Sequence, residues 1–209
     1  MRQTRRRSIW AARVLTTPVV VFAMTGALPG VALGPKQTAK EPDLTAVQTA
    51  LKKYENPYLA VHDGYFSTLG CVVIEQPGAK GHVAYKPGGM GIHFFNGALM
   101  GPNPDPAKPQ VLIYEPDGDK LKLIAAEWFV PLATGVKSRP QLWGRPFDGP
   151  MMGHPPLIPH EMSQYDLHVW LYKPNRLGTF EPTNPDVKCT GHPYRIVEEA
   201  PALVPEPKS

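Results

Sequence analysis

The chain has 209 residues and a formal net charge of +4, from 22 lysines and arginines against 18 aspartates and glutamates. Residues 1–32 hold five of the arginines and no acidic residue, so the remainder has 17 basic residues against 18 acidic ones. Nucleic-acid binding needs lysines and arginines clustered on one face, and this remainder shows no such cluster, so we expect no nucleic-acid partner.

The N-terminal segment has the pattern of an export signal. Its arginines precede an uncharged stretch from Val14 to Pro35 that contains the apolar run 19–24. We expect residues 1–32 to be a signal peptide cleaved after Ala32, with Gly34 as the second choice. An uncleaved anchor is the alternative, because about 20 uncharged residues can span a bilayer. After cleavage no membrane span is expected, so the protein is predicted to be secreted or to lie in the cell envelope.

The remaining sequence predicts one domain. Residues 33–42 are expected to be a linker, 43–200 a single globular domain, and 201–209 a flexible tail. Proline is the compositional outlier, with 26 residues in the chain against a usual share of about 5%. The domain is therefore expected to be rich in fixed turns and irregular segments.

One helix is predicted near the start of the domain. Asp43 is a suitable N-cap, and apolar residues recur at three- and four-residue spacing through Leu44, Val47, Leu51 and Tyr54. Pro57 is expected to end it.

Strand signals dominate after this helix. Runs rich in β-branched and aromatic residues, bounded by Gly, Pro or Asn, predict strands at Cys71–Glu75, Gly91–Phe95, Val111–Glu115, Leu121–Val130 and Leu167–Tyr172. Residues 116–119 (Pro-Asp-Gly-Asp) predict a hairpin turn. Residues 131–166 are rich in proline and glycine and predict an ordered flap over the sheet. The fold class is therefore α+β: a mainly antiparallel, curled β-sheet or small barrel with one N-terminal helix and a long Pro/Gly-rich flap.

The only two cysteines, Cys71 and Cys189, predict a disulfide in an exported protein. It would close a loop of more than 100 residues and contribute roughly 4 kcal/mol by the chain-entropy model. Two free buried thiols are the alternative.

Alternation along three predicted strands singles out three polar side chains. Glu127 is in register with the apolar residues Leu121, Leu123, Ala125 and Phe129. His93 lies opposite Ile92 and Phe94 and shares a face with Phe95, while His168 shares one with Trp170 and Tyr172. Each strand therefore offers one side chain that can bind a metal.

Two imidazoles and one carboxylate are a ligand set for Zn²⁺, Mn²⁺, Fe²⁺ or copper, so one divalent transition metal ion is the candidate cofactor. His154 on the flap is a tentative fourth ligand, and His160 is a further candidate. Nearby methionines could supply thioethers to copper(I) or simply fill the core. The alternatives are structural histidines, and a Glu127 paired with Arg139, Arg145 or Arg195.

Other motif classes are missing from the sequence. It has no GxSxG, Walker A, HExxH or CxxC motif, so catalytic residues stay unknown, no organic cofactor is predicted, and the question of enzymatic activity is open. Two other functions remain. One is a metal-free extracellular binding module with a pocket for an apolar or carbohydrate ligand, lined by Trp128, Trp143, Trp170 and Tyr172. The other is a structural envelope protein whose proline-rich surface binds partners.

Several segments together carry a resemblance. They are 53–54, 63–65 with Cys71, 89–96, 112–116, 127–131, 166–170 and 184–189. Over nearly the whole mature chain the sequence resembles a group of exported bacterial proteins with no assigned activity. The resemblance implies secretion and a single domain, and it supplies no substrate, cofactor or catalytic residue.

Overall fold

Short helical segments open the described part of the chain. The computed structural model describes residues 41–80, 83–153, 155 and 157–208, so the predicted signal peptide lies outside it. Helix α1 (Thr45–Leu51) is followed by a 3₁₀ turn (Lys52–Glu55) and by helix α2 (Pro57–His62). Asp43 accepts a hydrogen bond from the Thr45 backbone N–H at 2.9 Å, and Val47 and Leu51 are buried.

The first helical segment ends before Pro57, as predicted, and Pro57 itself begins a second helix, α2, that was not predicted. A proline in the first turn loses no hydrogen bond, because the first N–H groups of a helix have no partner within it. The Asn56 side chain caps the new helix by accepting a hydrogen bond from the Tyr58 backbone N–H at 3.1 Å.

Eleven strands follow in the described residues: β1 (Phe66–Ile74), β2 (Gly78–Lys80), β3 (Val83–Tyr85), β4 (Gly88–Phe95), β5 (Val111–Asp117), β6 (Lys120–Pro131), β7 (Gln141–Leu142), β8 (Arg145–Pro146), β9 (Asp148–Met151), β10 (Gln164–Val169) and β11 (Arg195–Glu198). Seven of them form one sheet in the order β11-β1-β4-β5-β6-β10-β9. Its pairs are antiparallel except β1 with β11. The predicted α+β fold with a curled sheet is confirmed, in the form of a half-barrel.

The predicted hairpin lies between β5 and β6. Asp117 and Lys120 are the last paired residues, and Gly118 begins the two-residue turn with φ +63°. Two-residue hairpin loops need a positive φ at this position, which glycine adopts without steric cost.

The sheet has two faces with different character. The first, which we call the helix face, packs Ile92, Leu112, Trp128 and Leu167 against the helical segment through Leu51. The second, which we call the site face, bears His93 from β4, Val111 from β5, Glu127 from β6 and His168 from β10. The histidines and the glutamate therefore lie on the side of the sheet away from the helices.

A bulge in β6 changes which residues share a face with Glu127. Ile113 pairs with Ala125 and the next residue, Tyr114, pairs with Leu123, so Ile124 has no opposite residue. As in other bulges, alternation breaks at this point. Leu123 joins the core on the helix face, whereas Ala125 joins the cluster on the site face. The predicted common register of Leu121, Leu123 and Glu127 was wrong for this reason.

Cys71 and Cys189 form a disulfide, as predicted, with their Cα atoms 5.6 Å apart. Cys71 lies in β1 directly opposite Arg195 of β11. The crosslink therefore joins β1 to the segment that leads into the edge strand β11.

The flap segment 131–166 contains both strands and irregular chain. It supplies the β7–β8 hairpin and β9, which extends the sheet beside β10. Trp143 packs edge-on against Trp128 with ring centroids 5.0 Å apart. Within the segment predicted as a tail, Leu203 pairs with Met151 and Glu206 forms an ion pair with Arg139.

Candidate metal centre

The sheet brings the three predicted ligands together. His168 of β10 is directly opposite Glu127 of β6. His93 lies on β4, which is separated from β6 by β5, and Val111 is the β5 residue opposite Glu127. Strands two apart in a sheet are about 10 Å from one another, so long side chains are needed to close this gap.

Both imidazoles point at the same carboxylate oxygen. The Nε2 atom of His93 lies 3.7 Å from Glu127 Oε2, and the Nε2 atom of His168 lies 3.5 Å from the same oxygen. One ligand atom from each of the three residues lies within 4.8 Å of the other two. All three residues are buried, with 5%, 4% and 2% of their surface exposed for His93, Glu127 and His168.

These spacings fit a shared ion better than direct hydrogen bonds. Hydrogen bonds between nitrogen and oxygen are about 2.7–3.2 Å long, which is shorter than both His–Glu distances. Two ligands bound to one ion at about 2.0–2.2 Å with a tetrahedral angle stand about 3.3–3.6 Å apart. The group could therefore hold a metal ion.

The electrostatics of Glu127 favour a compensating cation. Burial, together with the negative charge of Glu198, raises the pKa of the Glu127 carboxyl to about 8. A divalent cation acts in the opposite direction, because it stabilises the ionised carboxylate.

The three arginines considered as partners of Glu127 have other partners in the described structure. Arg139 bonds to Glu206, Arg195 pairs with Glu75, and Arg145 lies over the ring of Phe180. Among the described residues, the ionic partners of Glu127 are the two histidines.

None of the remaining histidines that the structure describes joins this group. His154, the tentative fourth ligand, lies outside the described residues, as does His82. His160 and His62 are exposed, and His62 contacts Asp63. His192 is partly buried and contacts the Leu69 carbonyl.

A cavity of about 160 Å³ adjoins the group, and His93 and Glu127 form part of its wall. The rest of the wall is mostly apolar. Phe95 and Phe129 contribute aromatic rings, and the methionines Met90, Met100 and Met162 contribute flexible side chains. The flap segment supplies the outer wall through residues 157–159.

Sequence reasoning missed three polar residues around this centre. Asp166 shares the face of His168 and is 1% exposed, and two-residue periodicity could have identified it. Glu198 lies on β11, a strand that was not predicted. Thr68 lines the cavity from an irregular stretch of β1, and no periodic signal could have found it.

The four aromatic residues of the alternative pocket do not gather in one place. Trp128 lies in the core of the helix face, against which Trp143 and Tyr172 pack, whereas Trp170 belongs to a cluster on the site face. The indole N–H groups of Trp128 and Trp170 donate to the backbone carbonyls of Asp105 and Glu181.

Comparisons of the chain with protein-family models, with curated proteins and with solved structures found no match. In the described residues, no helix has both the length and the apolar character needed to cross a membrane. The class that fold and site define is a mostly β domain with a disulfide and a buried group of two histidines and one glutamate.

Proposed function

We propose that this chain is an exported protein that binds one divalent transition metal ion through His93, Glu127 and His168. The observation that carries the proposal is the spacing of 3.5 and 3.7 Å between the two imidazole Nε2 atoms and Glu127 Oε2 in a buried site. This spacing is too long for hydrogen bonds and suitable for ligands of one ion.

The ligand set narrows the choice of metal. Two imidazole nitrogens and one carboxylate oxygen suit Zn²⁺, Fe²⁺, Mn²⁺ or Cu²⁺. Three protein ligands leave an open coordination position, and the adjoining cavity provides space for it. A metal bound in this way supplies Lewis acidity and lowers the pKa of a bound water.

Export is supported by two independent features. The N-terminal sequence has the charge and apolar pattern of a signal peptide, and a disulfide is typical of oxidising compartments. Mass spectrometry of the protein from the extracytoplasmic fraction tests this part. A mature N-terminus after Ala32 or Gly34 is the expected result, and an intact leader on protein confined to the cytoplasm would contradict it.

Metal binding is tested on purified protein that has been stripped with a chelator and titrated separately with Zn²⁺, Co²⁺ and Mn²⁺. We expect one ion per chain by elemental analysis and calorimetry. Glu127→Gln and His168→Gln should weaken binding at least about 100-fold, because each removes a ligand.

His192→Gln is the matched control, because this partly buried histidine lies outside the group, and the metal affinity of this variant should equal that of the unchanged protein. Circular dichroism of each variant separates loss of a ligand from loss of the fold. Folded protein that takes up no stoichiometric ion, or equal losses in the control, would refute the proposed function.

A further inference from the structure

The volume of the cavity beside the metal group is suitable for one six-membered aromatic ring. Its volume is about 160 Å³, and an engineered cavity of about 150 Å³ in another protein binds benzene. Phe95, Val111 and Phe129 of the sheet form its floor together with the group, and Leu157 and Met162 of the flap segment lie on its wall. Such a wall favours an apolar molecule and disfavours a carbohydrate, whose hydroxyls would lack partners.

One polar atom on the cavity wall is left without a partner in the described structure. The Oγ1 atom of Thr68 is buried and makes no hydrogen bond within the described residues, and Thr68 lines the cavity. A buried hydroxyl without a hydrogen bond costs roughly 1–3 kcal/mol, so a ligand that bonds to it would recover that cost.

An irregularity in β1 determines where this hydroxyl lies. Pairing with β4 is interrupted between Ser67 and Cys71, and Leu69 within the interruption has φ +64°. Bulges of this kind redirect a side chain and are frequent next to functional sites. The placement of Thr68 on the cavity wall is thus maintained by a backbone conformation that leucine rarely adopts.

We propose that this cavity binds a small monocyclic molecule that carries one oxygen donor, a hydroxyl or a carboxylate. The ring lies among Phe95, Phe129 and the methionines, and the oxygen binds the open position of the ion beside His93 and Glu127. Thr68 Oγ1 bonds to the same polar group. This inference rests on the proposed metal site and names the class of ligand for it.

The test uses purified protein loaded with Co²⁺, whose visible spectrum responds to a new ligand on the ion. Phenol and benzoate are probes with an oxygen donor, toluene is a probe without one, and 2-naphthol is too large for the cavity. We expect phenol or benzoate to change the cobalt spectrum and to bind at least about tenfold more tightly than toluene, a difference of about 1.4 kcal/mol. 2-Naphthol should leave the spectrum unchanged.

Two variants test the cavity itself. Met162→Trp places a large side chain in the cavity and should abolish binding of the probes while the protein keeps its Co²⁺. Leu59→Trp introduces the same side chain on the exposed surface of α2. This variant should bind Co²⁺ and the probes as the unchanged protein does. Thr68→Val should lower the affinity for phenol and benzoate and leave the affinity for toluene unchanged.

The outcomes separate this inference from the metal proposal. Stoichiometric Co²⁺ with a spectrum that no probe changes, or equal affinity for phenol, benzoate and toluene, would overturn the inference and leave the metal site standing. Failure to bind any metal, measured by elemental analysis before a probe is added, would overturn both.

Discussion

His168 and Glu127 are direct partners in the ladder between β10 and β6, with Nε2 of the histidine 3.5 Å from Oε2 of the glutamate. Their relative position is therefore set by backbone hydrogen bonds between two central strands. A shift of β10 by one residue along β6 would turn His168 to the helix face and bring one of its neighbours opposite Glu127. The β6–β10 ladder therefore fixes how His168 and Glu127 lie relative to one another.

The metal-free protein should lose stability as the pH rises from 6 to 8. The folded Glu127 carboxyl has a pKa of about 8, raised by burial from an ordinary value of 4.5. Between these values the folded state holds a proton that the unfolded state has lost, so stability falls with pH. Burial also raises the pKa of Asp148, to about 6. Asp148 therefore contributes to the pH dependence of stability mainly below pH 6. The expected slope is about 1 kcal/mol per pH unit, measured by urea unfolding.

Glu127→Gln should remove this pH dependence, because the amide does not titrate. Glu55→Gln makes the same chemical change at an exposed position and should leave the slope as it is. A slope that persists in Glu127→Gln would show that another group is responsible.

Gly91→Ala should destabilise the sheet. Gly91 has φ +102°, and a Cβ atom there would lie 2.7 Å from the Tyr114 carbonyl oxygen and 2.8 Å from the Ile113 side chain. A positive φ and a close contact with backbone together should cost about 2 kcal/mol or more. Gly101→Ala, where a Cβ meets open space, should change stability by less than about 0.5 kcal/mol. Equal unfolding midpoints for the two variants would contradict this account of Gly91.

Removal of the disulfide should lower the free energy of unfolding by about 2–5 kcal/mol. The bond closes a sequence separation of 118 residues, so its loss gives the unfolded chain much more freedom. The double variant Cys71→Ala with Cys189→Ala is compared with the oxidised protein in urea, and the reduced protein serves as the control for the changed side chains. Identical midpoints for all three samples would contradict a stabilising role.

Two Thr→Val substitutions should differ in their effect on the stability of the ligand-free protein. Thr183 is 1% exposed and its hydroxyl donates to the Lys86 carbonyl at 2.7 Å, so Thr183→Val should cost about 1–3 kcal/mol. Thr68→Val removes a buried hydroxyl that has no hydrogen bond in the described structure, so stability should stay the same or rise. Thermal unfolding gives both values, and a large loss in Thr68→Val would mean that this hydroxyl has a partner in the folded protein.

The positions of the central strands, and the side of its own strand on which each histidine lies, could be predicted from the sequence. Residues alternate across a strand, so His93, Glu127 and His168 could be assigned to faces from their immediate neighbours alone. The prediction for His93 opposite Ile92 and Phe94 is confirmed because β4 is regular between residues 92 and 95.

Convergence of the ligands could not be predicted, because it depends on strand order. Local pattern does not show that β5, with Val111, separates β4 from β6, or that the curl of the sheet brings His93 close to Glu127. The bulge at Ile124 likewise depends on pairing with β5, which periodicity within β6 does not reveal. The irregular stretch that places Thr68 on the cavity wall could not be predicted either, because it depends on how β1 pairs with β4.

The crosslink at the sheet edge has a consequence for the charge of the site. Cys189 fixes the chain just before β11, and β11 carries Glu198, whose charge acts on Glu127. After reduction the ladder with β1 alone would hold this outer strand, and separation of the strand would take a negative charge away from the two histidines and the glutamate. The thiol chemistry of the surroundings would thereby influence how readily Glu127 gives up its proton, although no sulfur atom belongs to the group.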